Sequence, residues 1–299
     1  MRIVFIFIDG LGIGADDNAK NPCAVPGLQF FNHFTTDSYP KATIYSGLVK
    51  PIDAQLGVDG LPQSATGQTA LFTGKNASRL IGKHLSGFPN NQLRAVLAEH
   101  SILKQFKDQG KRAAFINVYR PIFFKMGPDA LLRFLSTTSI ANWKAGLPFF
   151  SFDDLRAKRA IYHDFTNHEL LRKGFNVPEF TPETAGRILV QCSQQYDFCL
   201  YEYFKTDTAG HAQHRSKSVT LLFEIEQFLH AFFNHTDLTT TTVLITSDHG
   251  NIEDLSVKTH TNNKVPLMVW GPLKEKIIEP INSLVDVTPT LVSIAKKEK

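Results

Sequence analysis

The sequence predicts an α/β fold with a mostly parallel central sheet. Two observations support this prediction. Apolar runs rich in β-branched and aromatic residues recur along the chain, and segments with helical periodicity lie between them. The first run ends abruptly in the glycine-rich loop DGLGIG, as a central parallel strand does where it meets a loop. Strands that alternate with helices are typical of a parallel sheet covered by helices.

Continuous apolar runs mark the predicted strands. They lie at 2–8, 113–119, 197–204, 241–247 and 265–271. Because the first run ends at Ile8, Asp9 is predicted to lie at the carboxyl end of a strand. In open α/β sheets this edge is where ligands bind.

Helices are predicted from apolar periodicity and from capping residues. They lie at 65–73, 101–109, 181–195, 217–234 and 286–297. Gly110 ends the second helix, and Thr181 followed by Pro182 begins the third. In the last helix, Thr288 precedes Pro289 in the same way.

We expect a single domain over residues 1–299. Residues 120–180 differ from the rest because they are rich in Phe, Arg and Lys and contain no clear strand pattern. They are predicted to form a small helical cap inserted into the α/β core, where a cap would cover a ligand site. A plain helical connection is the alternative.

Composition excludes several classes of function. The net charge of +4 is modest, and no basic run occurs before the tail 296–299, so nucleic acid binding is not expected. The first apolar run is cut by Asp9, short of a signal-peptide core, and no segment reaches the length of a membrane span. The three cysteines form no paired pattern. We therefore expect a cytoplasmic protein that does not bind membranes, while its oligomeric state remains open.

Acidic and histidine residues near predicted strands provide the functional signal. They are Asp9, Asp207 and His211 in DTAGH, Asp248 and His249 in SDHGN, and His260 in KTHTNN. Carboxylate and imidazole together suit a borderline divalent metal. Each motif alone is explained equally well by a turn or a solvated loop. Because the sheet would bring the strand ends to one edge, the set as a whole predicts a metal site.

Ser64 adds a candidate nucleophile to this set. It precedes the small-residue segment ATGQTALFTG, which is predicted to enter a helix. The amino end of a helix favours a bound anion such as phosphate. An ordinary serine cap is the alternative. A nearby metal would lower the pKa of the hydroxyl and activate it as a nucleophile.

These motifs together resemble those of the alkaline phosphatase superfamily of metal-dependent phosphoryl-transfer enzymes. The chain is most similar to the branch that contains cofactor-independent phosphoglycerate mutase and phosphopentomutase. The matching motifs are DGLGIG, QSATGQTALFTG, DTAGH, SDHGN, KTHTNNKVP and VDVTPTL, in the order of the family. The resemblance implies an alkaline-phosphatase-like three-layer sandwich.

The resemblance also implies two divalent ions, zinc or manganese, about 4 Å apart. One ion would be bound by Asp9, Asp248 and His249, with Ser64 as the nucleophile on it. The other would be bound by Asp207, His211 and His260. Ser64 would attack phosphorus and form a phosphoseryl enzyme.

Two departures from this pattern matter for chemistry. Thr66 is a rival nucleophile, because one branch of the superfamily uses threonine, although the spacing from Ser64 to Gly74 fits the family better. Sulfatases need a modified cysteine in C-x-P-S-R, and none of the three cysteines has this context. Sulfatase activity is therefore not expected.

The interval from Gly74 to Asp207 is too short for the large domain of the phosphoglycerate mutases, and it lacks their arginine motifs. We therefore expect hydrolysis of a small-molecule phosphate ester, with Lys205 as a candidate substrate contact. A phosphomutase acting on a phosphorylated sugar or glycerate is one alternative. A non-catalytic metal-binding protein of the same fold is the other. Further candidate anion contacts are Lys75, Arg79, Arg120, Arg156, Arg159 and Arg215.

Overall fold

The computed structural model describes residues 2–127, 131–132 and 134–297. A seven-stranded sheet crosses this part of the chain. Its strands are β1 (Arg2–Ile8), β2 (Lys41–Thr43), β3 (Gly47–Ile52), β4 (Ala113–Phe115), β5 (Phe198–Tyr203), β6 (Thr241–Thr246) and β7 (Val265–Trp270). The five predicted strands are present, and β2 and β3 are additional.

The strand order is β2-β3-β7-β6-β1-β5-β4. The four strands β4, β5, β1 and β6 run parallel to one another. At the other side, β7 is antiparallel to β6 and β3, and β3 is antiparallel to β2. The sheet is therefore mixed but mostly parallel, and the predicted α/β fold class is confirmed.

Helices connect and cover the strands. They are α1 (Ser64–Thr73), α2 (Ala77–Ile81), α3 (Asn91–His100), α4 (Ile102–Asp108), α5 (Pro121–Lys125), α6 (Thr137–Lys144), α7 (Phe152–Arg156), α8 (His168–Arg172), α9 (Pro182–Ser193), α10 (Lys205–Ala212), α11 (Arg215–His235), α12 (Lys274–Ile278) and α13 (Leu284–Lys297). Within the described ranges, no helix combines the length and apolar content that a bilayer span requires.

The last helix begins earlier than predicted. Helix α13 starts at Leu284, so Pro289 lies inside it and Thr288 is not its cap. The Thr288 hydroxyl instead donates a hydrogen bond to the backbone carbonyl of Leu71 at 2.7 Å. This bond ties α13 to α1, the helix that begins at Ser64.

Side chains of β1 alternate between two buried cores, which gives three layers. Ile3, Phe5 and Phe7 pack into the core that contains residues of α1, α3, α4, α6 and α13. Val4 and Ile6 face the opposite core, with residues of α9 and α11. A strand buried on both faces explains the continuous apolar run in the sequence. The expected three-layer sandwich is confirmed.

Residues 120–180 contain α5 to α8, and residues 128–130 and 133 of this segment lie outside the described residues. Ile140 and Ala141 of α6 are buried in the same core as residues of α1 and α3, so α6 belongs to a helical layer of the sandwich. Leu155 of α7 and Leu170 of α8 are buried in the opposite core. Of the helices described in this segment, α5 alone, which has no buried residue, therefore remains for the proposed cap.

Candidate metal centre

The loops that follow β1 and β6 bring three predicted ligands together. These strands are neighbours in the sheet, so Asp9, after β1, lies beside Asp248 and His249, after β6. The Nε2 atom of His249 is 3.3 Å from Oδ1 of Asp9 and 3.5 Å from Oδ2 of Asp248. One potential ligand atom from each residue lies within 4.8 Å of the others. All three side chains are buried.

A second group lies at the end of the neighbouring strand β5. Helix α10 begins two residues after β5 ends and carries Asp207 and His211, which face each other because they are four residues apart. Oδ1 of Asp207 is 3.5 Å from Nε2 of His211 and 3.3 Å from Nε2 of His260. The two imidazole Nε2 atoms are 3.2 Å apart. These three residues also present their ligand atoms within 4.8 Å of one another.

The two groups adjoin through stacked imidazole rings. The ring centroids of His249 and His260 are 3.7 Å apart, and their planes differ by 14°. The six predicted ligands thus form one continuous site, although they come from loops and a helix that are far apart in the sequence.

Ser64 lies at the first group. It is the first residue of α1, and its Oγ is 3.0 Å from Nε2 of His249. One turn later, Nε2 of Gln68 donates to Oδ2 of Asp9 at 3.2 Å. Between them, Gly67 has no side chain, and a Cβ there would lie 2.7 Å from the carbonyl oxygen of Asp248. The helix can approach the ligand loop this closely because position 67 is glycine.

Thr66 is directed elsewhere. Its side chain is fully buried, and its hydroxyl donates to the carbonyl of Gln63 at 3.1 Å and accepts from the backbone N–H of Leu85 at 3.2 Å. Lys205 is half-buried at the first turn of α10. The geometry thus brings Ser64, rather than Thr66, next to the candidate ligands.

Other candidate anion contacts have partners outside the centre. Arg156 bonds to Asp153 at 2.9 Å, and Arg159 bonds to Asp154 at 2.7 Å. Arg215 donates to the carbonyl oxygen of Asn18 at 3.0 Å.

Two carboxylate oxygens in the first group are electrostatically unsatisfied. Oδ1 of Asp9 and Oδ2 of Asp248 are buried, and neither accepts a hydrogen bond from the described residues. Burial, together with the charges of Asp248 and Asp207, raises the pKa of Asp9 well above its ordinary value. Such carboxylates are costly unless a cation neutralises them. Mixed oxygen and nitrogen donors fit a borderline divalent ion such as zinc or manganese.

Backbone carbonyls orient the histidines of the second group. Nδ1 of His260 is 2.8 Å from the carbonyl oxygen of Pro62, and Nδ1 of His211 is 2.8 Å from that of Lys258. An Nδ1–H that donates to a carbonyl leaves Nε2 with a free lone pair, as a metal ligand requires. Both Nε2 atoms point at Asp207. Burial opposes ionisation of Asp207, but in the metal-free protein hydrogen bonds from a His260 ring protonated on both nitrogens and from Asn251 lower its pKa to about 2.

Glu253 is a functional residue that the sequence analysis missed. Its buried carboxylate accepts hydrogen bonds from the backbone N–H groups of Gly12 at 2.9 Å and Asn251 at 2.7 Å. It also accepts from the side chains of Thr261 and Asn263. One side chain therefore joins the loops that carry Asp9, Asp248 and His260. A lone glutamate in a loop gives no signal of this role in a single sequence.

Comparison with known proteins places the fold in a broad group. Residues 175–299 match the family described as the Metalloenzyme superfamily. A curated relative, the 2,3-bisphosphoglycerate-independent phosphoglycerate mutase of Ruthia magnifica, is 33% identical over 115 residues, which are 36% of this chain and 22% of the relative. The match thus spans less than a quarter of that enzyme.

Solved structures cover nearly all of the chain. Alkaline phosphatase from the Antarctic bacterium TAB5 has a TM-score of 0.56 at 13% identity and covers 99% of this chain and 97% of its own. Phosphoglycerate mutase from Leishmania mexicana has a TM-score of 0.51 at 10% identity, and the match covers 99% of this chain and 95% of that structure. At these identities the likeness concerns the fold.

Proposed function

We propose that this chain, which carries an alkaline-phosphatase-like domain of the metalloenzyme superfamily, hydrolyses a small-molecule phosphate ester with Ser64 as nucleophile. The position of the Ser64 Oγ, 3.0 Å from His249 Nε2, carries the proposal. A structural metal site has no use for a hydroxyl group beside its ligands and usually closes its own coordination shell. A serine beside an open ligand set instead fits covalent catalysis.

Two divalent ions, zinc or manganese, would supply Lewis acidity and would lower the pKa of the attacking hydroxyl. The six side chains described above would bind them. One ion would be held by Asp9, Asp248 and His249, and the other by Asp207, His211 and His260.

The residues of the chain provide positioning. Ser64 begins the ten-residue helix α1, whose amino end favours the phosphate dianion. In the first step, the bond between Ser64 Oγ and phosphorus forms while the bond from phosphorus to the alcohol oxygen breaks, and the alcohol leaves with a proton. Water then attacks the phosphoserine, which releases phosphate and restores the hydroxyl group.

A phosphomutase is the second candidate, because the curated relatives that match bear that name. In such a reaction the phosphoryl group would return to another hydroxyl of the same substrate. We favour hydrolysis because residues 75–206 form β4, β5, the helices α2 to α9 and their connections, and β4, β5, α3, α6 and α9 belong to the sandwich itself. Little chain is left for a second substrate-binding domain.

The Ser64→Ala variant tests the nucleophile. We expect loss of at least 1,000-fold in phosphate release, the order expected when an essential nucleophile is removed, while the metal content stays unchanged. Thr66→Ala tests the rival, and Ser86→Ala, at an exposed position, is the matched control. Phosphate release is measured on a panel of mono- and diesters with zinc or manganese added. An active Ser64→Ala protein would overturn the proposed role.

Hydrolysis and transfer are separated by following the phosphorus. ³¹P NMR of the same reactions distinguishes free phosphate from a positional isomer of the ester. Accumulation of the isomer without phosphate would establish the mutase instead. Tightly bound metal without turnover on any ester, at wild-type Ser64, would establish the non-catalytic alternative.

A further inference from the structure

A cavity of about 380 Å³ opens at the carboxyl ends of β4 and β5. This volume lies in the range of small-ligand sites, on the order of 300–1,000 Å³. Aromatic and aliphatic side chains form most of its wall, with a few polar groups among them. Its lining includes Arg120, Ile122, Phe134, Tyr162, Glu202 and Phe204.

The cavity lies next to the metal centre. Phe204, in its wall, directly precedes α10, the helix that carries Asp207. Glu202 pairs with Phe7 across β5 and β1. Asp9 is two residues beyond Phe7, so the side chains of Asp9 and Glu202 project from the same face of the sheet. A phosphate held at the metal centre would therefore have the rest of its ester within reach of this cavity.

Glu202 is the polar group at the base of the cavity. It is 6% exposed, and its Oε2 accepts a hydrogen bond from the hydroxyl of Thr138 at 2.6 Å. No hydrogen bond joins Oε1 to another described residue, and Glu202 lines the cavity, so Oε1 is available to a ligand there. A buried carboxyl group that is held by one neighbour and has a second oxygen to spare is suited to accept a hydrogen bond from a ligand. Burial raises the pKa of Glu202 to about 7, so above that pH its carboxylate would repel a ligand carboxylate at the same point.

The walls suit a ring. The His163 ring lies 4.1 Å from the Phe204 ring and 4.0 Å from the Tyr162 ring, measured between centroids. His163 is itself held by Glu169, with Nε2 and Oε2 at 2.7 Å. At the mouth, the apolar side chains of Ile122 and Phe134 are 57% and 64% exposed. Exposed apolar groups around a cavity are typical of a binding site.

We propose that this cavity binds the alcohol part of the substrate, and that this part is a ring-bearing group with a hydroxyl or amine that donates to Glu202. The inference rests on the proposed function for the position of the phosphate. It narrows the substrate class to esters of aromatic or similarly flat alcohols. Glu202 then determines specificity without taking part in the chemistry.

Direct binding tests the cavity without metal or phosphate. The probes are 2-phenylethylamine, 2-phenylethanol and 3-phenylpropionate, which share a ring and differ in the end group. In calorimetry at pH 8.5, where Glu202 is ionised, we expect the amine and the alcohol to bind at least tenfold more tightly than the carboxylate. Equal or tighter binding of the carboxylate, or no binding of any probe at millimolar concentration, would overturn the proposal.

Variants locate the binding. Phe134→Asp at the mouth is expected to weaken binding of the amine and the alcohol at least fivefold. The matched control is Phe88→Asp, because Phe88 is 50% exposed and lies outside the cavity. Glu202→Gln is expected to make 3-phenylpropionate bind about as tightly as the amine and the alcohol. If both cavity variants bind all three probes as the control does, the cavity is not the site.

Turnover separates this proposal from the proposed function. We expect kcat/KM for 4-(2-aminoethyl)phenyl phosphate to exceed that for 3-phosphoglycerate at least tenfold, and Phe134→Asp to reduce that ratio. Metal-dependent phosphate release with the reverse preference would overturn the substrate class alone. Probe binding without turnover of any ester would instead overturn the proposed function and leave the cavity as a binding site.

Discussion

The imidazole rings of His249 and His260 lie face to face, with centroids 3.7 Å apart, although each belongs to a different group of candidate ligands. Burial lowers the pKa of His249, which keeps its ring neutral. A neutral imidazole is the form that binds a metal. The stacked pair therefore forms a shared wall between the two groups, and a change at one group is expected to affect the other.

Metal should stabilise the protein through the unsatisfied carboxylates. Zinc or manganese at 100 times its dissociation constant is expected to add about 2.7 kcal/mol to the unfolding free energy. In the metal-free protein at pH 8, Asp9→Asn is expected to raise the Tm by on the order of 2 °C, because it removes one buried carboxylate from the repulsion with Asp248. The same variant should abolish most of the shift caused by metal.

Scanning calorimetry with and without chelator measures both effects. Asp16→Asn, at an exposed position, is the control and should leave both values unchanged. A metal shift that persists in full in Asp9→Asn would show that Asp9 is not a ligand.

Glu253→Gln should strongly lower the free energy of unfolding, although glutamine has nearly the same shape as glutamate. The glutamine amide would place a donor against the donors that now bond to the carboxylate, including the N–H groups of Gly12 and Asn251. We expect a loss of about 2–4 kcal/mol in urea unfolding, since hydrogen bonds to charged groups contribute about 1.5–3 kcal/mol each. Glu275→Gln, at a side chain that is 69% exposed, serves as control. Equal urea midpoints for the two variants would contradict the role of Glu253.

Gly67→Ala should destabilise the protein, whereas replacement of a glycine within a helix by alanine usually stabilises it. Alanine ordinarily stabilises a helix interior by about 1 kcal/mol relative to glycine. Here the added Cβ would lie 2.7 Å from the carbonyl oxygen of Asp248, so α1 must shift away from the ligand loop. We expect a lower Tm and weaker metal binding. Gly127→Ala, whose Cβ would have no atom of another described residue within 4 Å, is the control, and a Gly67→Ala protein as stable as this control would refute the close approach.

Stability should depend on pH through Glu226. Burial raises the pKa of this carboxyl group from its ordinary 4.5 to about 7, although its Oε1 accepts from the N–H groups of Gln29 and Phe30. A raised pKa means that the folded protein binds the proton more tightly than the unfolded chain. The stabilisation is therefore complete below pH 4.5 and is lost as pH rises through about 7.

Urea unfolding of wild type and Glu226→Gln across this range measures the effect. Their difference is expected to change by on the order of 2–3 kcal/mol between pH 4.5 and 8, with wild type losing stability at the higher pH. A difference that stays constant across the range would show that Glu226 titrates normally.

The sequence predicts the strands and the candidate ligands for the same physical reason. Strands buried on both faces are continuous apolar runs, and the ligands lie in loops near the strand ends, so both are visible in one pattern. Strand β2 is not predicted because it has only three residues, and β3 is not predicted because Lys50 and Pro51 interrupt its apolar run. The antiparallel direction of β7 was missed because an apolar run does not encode direction.

Other features depend on the folded chain as a whole. Glu253 accepts hydrogen bonds from donors in three separate loops, so no local sequence pattern indicates its role. The sequence Thr288-Pro289 is typical of the start of a helix, but the Thr288 hydroxyl donates a hydrogen bond to the carbonyl oxygen of Leu71 on another helix. The cavity at Glu202 likewise requires β4, β5 and residues 119–169 to meet.

The position of β1 in the sheet constrains the order of events during synthesis. This strand is made first among the seven, yet its two neighbours are residues 198–203 and 241–246. Until the ribosome has translated both neighbouring strands, β1 has two unpaired edges and an apolar surface on each face. Such a strand is prone to aggregation. Metal binding at the proposed centre would require His260 as well. The proposed centre would thus form only after both neighbouring strands have been made, and a chain truncated before residue 260 is expected to bind chaperones rather than ions.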